Sequence, residues 1–77
     1  MPRIAPVSGR KVAKVLGKAG FQIVGQRESH IRLKKKVSDR VFIVVVPLHP
    51  ELKRGTLKSI LRQAGLTAEE FTELLEK

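Results

Sequence analysis

The sequence lacks cysteine, tryptophan and tyrosine, and phenylalanine occurs only three times in 77 residues. Without cysteine, neither a disulfide framework nor a thiolate metal site can form. All three phenylalanines fall at core-like positions, so the surface has few aromatic side chains on which nucleic-acid bases could stack. No apolar run has the length of a signal peptide or of a membrane helix. These absences predict a cytoplasmic protein with a thin hydrophobic core.

Acidic residues are also scarce, with seven Asp and Glu against 16 Lys and Arg, for a net charge of +9. Four of the seven acids lie within residues 69–77, so residues 1–68 carry 15 bases and three acids. Such a surface concentrates polyanions and releases a condensed counterion for each phosphate that it neutralises. Nucleic acid is therefore the first partner to consider. A basic surface with no dedicated partner is the alternative.

N-terminal capping residues and terminating glycines predict three helices. Ser8 is the expected N-cap of the first helix, and Gly20 is its stop. Thr56 is the expected N-cap of the second helix, which ends at Gly65. A capping box at residues 67–70 opens a short third helix with an apolar side.

Three strands are expected between the first and second helices, at residues 21–24, 29–34 and 41–46. The second strand alternates strictly, with Ser29, Ile31 and Leu33 on one face and His30, Arg32 and Lys34 on the other. The third is a largely β-branched run that includes Phe42, which predicts that it is the most buried strand. Residues 47–55, with two prolines and a glycine, form a loop.

This order of elements predicts an α+β fold in which a three-stranded antiparallel sheet carries all the helices on one face. We expect a single domain over residues 1–77, with residues 1–7 flexible. The other sheet face is then open to solvent and holds His30, Arg32 and Lys34, because strand side chains alternate. The first helix carries a basic stripe of Arg10, Lys11, Lys14 and Lys18.

No cofactor loop, nucleophile elbow or metal-binding cluster appears in the sequence, which leaves two histidines as candidate catalysts. RNA supplies its own nucleophile, so one or two histidines with nearby cations can cleave it without metal. His30 stands beside Arg32 and Lys34 and suits this role, although on spacing alone an ordinary exposed strand residue is the favoured interpretation. His49, between two prolines, could be a second acid or base, a phosphate contact or, as we favour, a structural loop residue.

Four segments carry a resemblance to a known family. They are Lys18-Ala19-Gly20-Phe21, Ser29-His30, Val46-Pro47-Leu48-His49 and the long stretch from Gly55 to Gly65, which an acidic helix follows. From Ser8 to Leu75 the chain resembles the HicA-type mRNA interferase toxins, also called the YcfA-like family. The family commonly has glycine where this chain has Glu28.

The resemblance implies a double-stranded-RNA-binding-domain-like α-β-β-β-α fold and ribosome-independent cleavage of mRNA. It also implies inhibition by a HicB-type antitoxin and a catalytic role for His30, with no cofactor. On this hypothesis Ser29 orients the site, and the RNA backbone is held by Arg32, Lys34, Lys11, Lys14 and Lys18. Two alternatives stay open: a non-catalytic double-stranded RNA-binding module, and a basic domain that serves only an acidic protein partner.

Overall fold

The computed structural model describes residues 6–77, and residues 1–5 lie outside the described range. Its elements are α1 (Gly9–Lys18), β1 (Gln22–Arg27), β2 (His30–Val37), β3 (Arg40–Pro47), α2 (Arg54–Ala64) and α3 (Ala68–Glu76). The strands form one antiparallel sheet in the order β1-β2-β3. The expected α+β architecture is confirmed.

One face of the sheet carries the hydrophobic core. Its strand residues are Ile31, Leu33, Val44 and Val46, all buried. They pack in one cluster with buried residues of the helices, which are Val12, Ala13, Val15 and Leu16 of α1, Leu57, Ile60, Leu61 and Ala64 of α2, and Phe71 of α3. The helices therefore cover this face alone, as the alternation of β2 predicts.

Helix boundaries follow local chemistry at most ends. The Ser8 hydroxyl accepts a hydrogen bond from the Lys11 N–H (3.1 Å) and caps α1 as expected. Gly65, with φ of 71°, ends α2 in the left-handed conformation. The prediction that Thr56 caps α2 is wrong. The Leu57 N–H already donates to the Lys53 C=O (2.9 Å), so Lys53 is the N-cap and Thr56 lies inside the first turn.

The first hairpin is longer than the sequence suggests. Strand β1 begins at Gln22 and continues through Gly25 to Arg27, and its register shifts at a β-bulge between Ile23 and Gly25. At the bulge, β1 has one residue more than the stretch of β2 that it pairs with. The strand therefore continues through Gly25, where the sequence suggests a turn. Only two residues, Glu28 and Ser29, connect β1 to β2, so Ser29 lies in the turn just before the strand.

Strands β2 and β3 have two buried residues each, so β3 is not distinctly the most buried strand. Because the sheet order is β1-β2-β3, β2 is central and β3 is an edge strand. Its Val44 and Val46 are buried, whereas Val41, Ile43 and Val45 are 49%, 54% and 40% exposed on the other face. A run of six apolar residues hides this alternation from the sequence.

Part of the N-terminal segment expected to be flexible is described. Val7 is half-buried, and its C=O accepts a hydrogen bond from the Leu52 N–H (2.8 Å). This bond links the entry to α1 with the loop between β3 and α2. The prediction for residues 1–5 lies outside the described residues.

Candidate functional site

The open face of the sheet carries a row of basic side chains along its central strand. His30, Arg32, Lys34 and Lys36 occupy alternate positions of β2, and all four are exposed. We call Arg32, Lys34 and Lys36 the cationic ladder, and His30 stands at its head. The structure thus confirms that His30, Arg32 and Lys34 share the face that the helices leave open.

His30 has a neighbour on each side. Its cross-strand partner on β1 is Arg27, and its partner on β3 is Pro47. Directly opposite residues of an antiparallel pair share a face, so the exposed Arg27 extends the positive charge beside the imidazole. Arg27 was missed from the sequence because the first strand was expected to end at residue 24.

Gly25 leaves space beside the second member of the row. It pairs with Arg32, and a Cβ built on it would meet no atom within 4 Å. No steric demand therefore requires glycine at this position, and its effect is to leave the Arg32 side chain uncovered on the β1 side. A glycine inside a strand is typical of a bulge or of a place where another molecule approaches closely.

Two backbone hydrogen bonds gather further elements at the His30 end of the sheet. The Leu48 N–H donates to the Ser29 C=O (2.6 Å), and the Gly9 N–H donates to the His49 C=O (2.9 Å). The β1–β2 turn, the loop after β3 and the N-terminus of α1 are therefore adjacent. His49 has a structural role through its backbone, while its side chain is exposed at the same end as His30.

The electrostatics of this end favour anions. The N-terminus of α1 has its positive dipole end here, and the exposed Arg10 and Lys11 lie in its first turn. Two acids, Glu28 and Glu51, lie in the turn and loop of the same end. The N-terminus of α1, Arg27 of β1 and Arg32 of β2 therefore bring positive charge to the end of the sheet that holds His30.

The α1 lysines do not join the cationic ladder. Lys11, Lys14 and Lys18 are exposed on α1, which covers the opposite face of the sheet. Lys18 is engaged with α3, because its Nζ donates to the Leu74 C=O (3.3 Å) and to the Lys77 C=O. The site residues expected from the sequence therefore divide between two surfaces.

Lys35 lies within the basic run of β2 but belongs to the helix-covered face. Its Nζ donates to the Ala19 C=O (2.7 Å) at the end of α1 and lies 5.7 Å from the centroid of the Phe21 ring. A cation at the C-terminus of a helix interacts favourably with the helix dipole. Three consecutive lysines thus serve two purposes, with Lys34 and Lys36 on the open face and Lys35 fastening β2 to α1.

The described residues form neither a metal-binding cluster nor a membrane-spanning helix. Within residues 6–77, no three His, Asp or Glu side chains come together in a way that could hold a metal ion. In the same part of the chain, no helix is long and apolar enough to cross a membrane.

A sheet with helices on one face, and a histidine heading a row of cations on the other, defines a small basic α+β protein with an anion-attracting face. The family model for the HicA toxin of bacterial toxin-antitoxin systems matches residues 9–66 of the 77. The chain belongs to the HicA toxin family, as the four sequence segments predicted; it is thus the toxin of a toxin-antitoxin pair, with an antitoxin as partner. The comparison with curated proteins finds no match.

Proposed function

We propose that this toxin is an endoribonuclease that cleaves mRNA independently of the ribosome and of metal ions, with His30 as general acid or base. The observation that supports it is the exposed position of His30 between Arg27 and the cationic ladder. A phosphate drawn to these cations comes within reach of the imidazole. An imidazole can both accept and donate a proton, which suits it to general acid–base catalysis.

The proposed reaction uses the 2′-hydroxyl of RNA. Its deprotonated oxygen attacks the adjacent phosphorus, and the bond to the 5′-oxygen of the next nucleotide breaks. The products are a 2′,3′-cyclic phosphate and a 5′-hydroxyl. His30 carries one of the two proton transfers and water carries the other, while Arg27 and Arg32 stabilise charge on the non-bridging oxygens.

RNA binding on this proposal uses the backbone rather than stacked bases. Arg32 and Lys34 hold phosphates next to the cleaved bond, and Ser29 orients the site at the start of β2. Lys11 and Lys14 contact a more distant part of the RNA, around the edge of the sheet. Lys18 contributes less, because its Nζ is bound to the end of α3.

The toxin acts in the cytoplasm, where mRNA is available, and cleavage stops translation and growth as part of a stress response. Its inhibitor is an antitoxin of the HicB type. No cofactor is needed for the reaction as written.

The test compares wild type with His30→Ala and His49→Ala on a defined mRNA, in the presence of a chelator. General acid–base catalysis contributes about 10²- to 10⁴-fold, so His30→Ala should lose at least 100-fold in rate. Its exposed position predicts unchanged folding and nearly unchanged RNA affinity. His49→Ala should keep most of the activity.

Full cleavage by His30→Ala would contradict the proposed mechanism. Wild type that shifts RNA in a gel but never shortens it between pH 6 and 8, about the range in which histidine titrates, would instead indicate a non-catalytic double-stranded RNA-binding module. Binding of the RNA should weaken steeply with salt in either case.

A further inference from the structure

The open face of the sheet has an apolar row beside its basic one. Val41, Ile43 and Val45 alternate along β3 and are exposed, and we call them the apolar ladder. Each pairs with a cation of β2, in the order Lys36–Val41, Lys34–Ile43 and Arg32–Val45. The face therefore presents two parallel rows of different chemistry, about 5 Å apart.

The two edges of the sheet differ in how they meet solvent. Edge strands usually carry a bulge, a charge or a proline that discourages pairing with another chain. Strand β1 has such a bulge between Ile23 and Gly25. Strand β3 has no bulge in its register with β2 and no charge from Val41 to Val46, so these devices are confined to Arg40 and Pro47 at its ends.

The outer side of β3 is open to a further strand. Among residues 6–77, β3 pairs with β2 alone, and Val41 to Val46 make no backbone hydrogen bond outside the sheet. A strand with free N–H and C=O groups and an exposed apolar row is a template for strand addition.

The chemistry of this surface favours a protein over RNA. Aliphatic side chains neutralise no phosphate, and the three phenylalanines that could stack on bases all belong to the helix-covered side. A second copy of the toxin laid face to face would bring two cationic ladders together. A segment with apolar residues and carboxylates matches both rows.

We propose that β3 is the docking strand for a protein partner, which adds an extended apolar segment to the free edge and places carboxylates over the cationic ladder. This rests on the proposed function in one respect, since the partner is taken to be the antitoxin that silences His30. An added strand would lie about 10 Å from β2. The combined lengths of a glutamate and a lysine or arginine side chain span that distance.

The test uses two matched variants. Ile43→Lys puts a charge into the apolar ladder, and Ile23→Lys makes the same change at an exposed isoleucine (61%) of the other edge. The probe is a HicB-type antitoxin that pairs with this toxin, titrated onto the 77-residue chain. Ile43→Lys should weaken binding about tenfold or more, because a buried aliphatic contact is replaced by a desolvated charge. Ile23→Lys should bind as wild type.

Amide hydrogen exchange provides a second measurement that needs no variant. Antitoxin binding should slow exchange in Val41 to Val46 and leave the β1 edge unchanged. Equal binding by both variants, or absence of protection in β3, would overturn the proposal. Concentration-dependent dimerisation of wild type that Ile43→Lys abolishes, without any effect on antitoxin binding, would assign β3 to a second copy and also overturn it.

RNA cleavage separates this proposal from the proposed function. Both lysine variants should cleave RNA within a few-fold of wild type, because neither isoleucine belongs to the proposed catalytic site. A selective loss of cleavage in Ile43→Lys would indicate that the apolar ladder contacts RNA rather than a protein partner. If wild type cleaves no RNA but loses antitoxin binding through Ile43→Lys, the docking strand stands and the nuclease proposal fails.

Discussion

Glu28 and Ser38 have the same left-handed backbone, with φ of 55° and 56°, in the two-residue turns at opposite ends of β2. Glycine adopts this conformation without the steric cost that a Cβ imposes. The glycine that the HicA family commonly has at the position of Glu28 is therefore explained by the turn. This chain keeps a strained residue, and a carboxylate, two positions before His30.

Replacing either residue with glycine should stabilise the fold. We expect Glu28→Gly and Ser38→Gly each to raise the free energy of unfolding by about 0.5–1 kcal/mol, since relief of the left-handed strain exceeds the entropic cost of glycine. Urea unfolding measures both. Only Glu28→Gly should also speed RNA cleavage, because it removes a carboxylate that repels phosphate near His30. Equal cleavage by the two variants would show that Glu28 does not influence the site.

Lys34 and Lys35 are neighbours with opposite roles. Lys35→Met should lower the free energy of unfolding by about 1–2 kcal/mol, because it removes a charged hydrogen bond to the Ala19 C=O and the contact with the Phe21 ring. Lys34→Met should change stability by less than about 0.5 kcal/mol, as an exposed substitution does. It should instead reduce the salt dependence of RNA binding by about one phosphate contact. Thermal unfolding and salt titrations distinguish the two, and the reverse pattern would contradict the assignment of faces.

Two glycines of α1 should respond in opposite directions to alanine. A Cβ at Gly9 would lie 1.9 Å from the Pro47 carbonyl oxygen, so Gly9→Ala must push α1 away from the end of β3. We expect a loss of about 1–3 kcal/mol. Gly17 has open space around its Cβ position, and Gly17→Ala should gain about 1 kcal/mol from helix propensity. Chemical denaturation of both variants checks this, and a harmless Gly9→Ala would refute the close contact.

The capping box of α3 predicts a pH dependence. Hydrogen bonds from the Thr67 backbone and side chain lower the pKa of Glu70. A carboxylate with a lowered pKa in the folded state stabilises it above the ordinary glutamate value, about 4.3, and loses this effect as pH falls through the lowered pKa. Glu70→Gln should therefore flatten the loss of stability below about pH 4. Glu73→Gln changes a carboxylate on the same helix outside the capping box. Below about pH 4, the stability of this variant should fall more steeply than that of Glu70→Gln.

Sequence patterns predicted the faces of β2 well and those of β3 badly. In β2, polar and apolar residues alternate along the sequence, so His30 and Ile31 can be assigned to opposite faces. In β3 every residue from Val41 to Val46 is apolar, and only the sheet order shows that half of them are exposed. The apolar ladder could therefore not have been predicted without the strand order of the sheet.

Two further site residues, Lys18 and Arg27, could not be placed correctly from the sequence. Sequence spacing placed Lys18 with the other cations of α1, but its destination depends on where the end of α3 lies. Arg27 was missed because a bulge carries β1 past Gly25. The contact of Lys18 joins distant segments, which local patterns do not reveal, whereas Arg27 belongs to a local hairpin whose bulge resembles a turn in the sequence.

Phe71 is fully buried, yet α3 lies outside the span that matches the toxin family. A fragment cut after Leu66 would leave a ring-sized void against α1 and would deprive Lys18 of the carbonyls that its Nζ contacts. The matched span is therefore smaller than the unit that folds. Anyone building a minimal toxin, or fusing it to another protein, should keep the chain through α3 and attach a linker only beyond it.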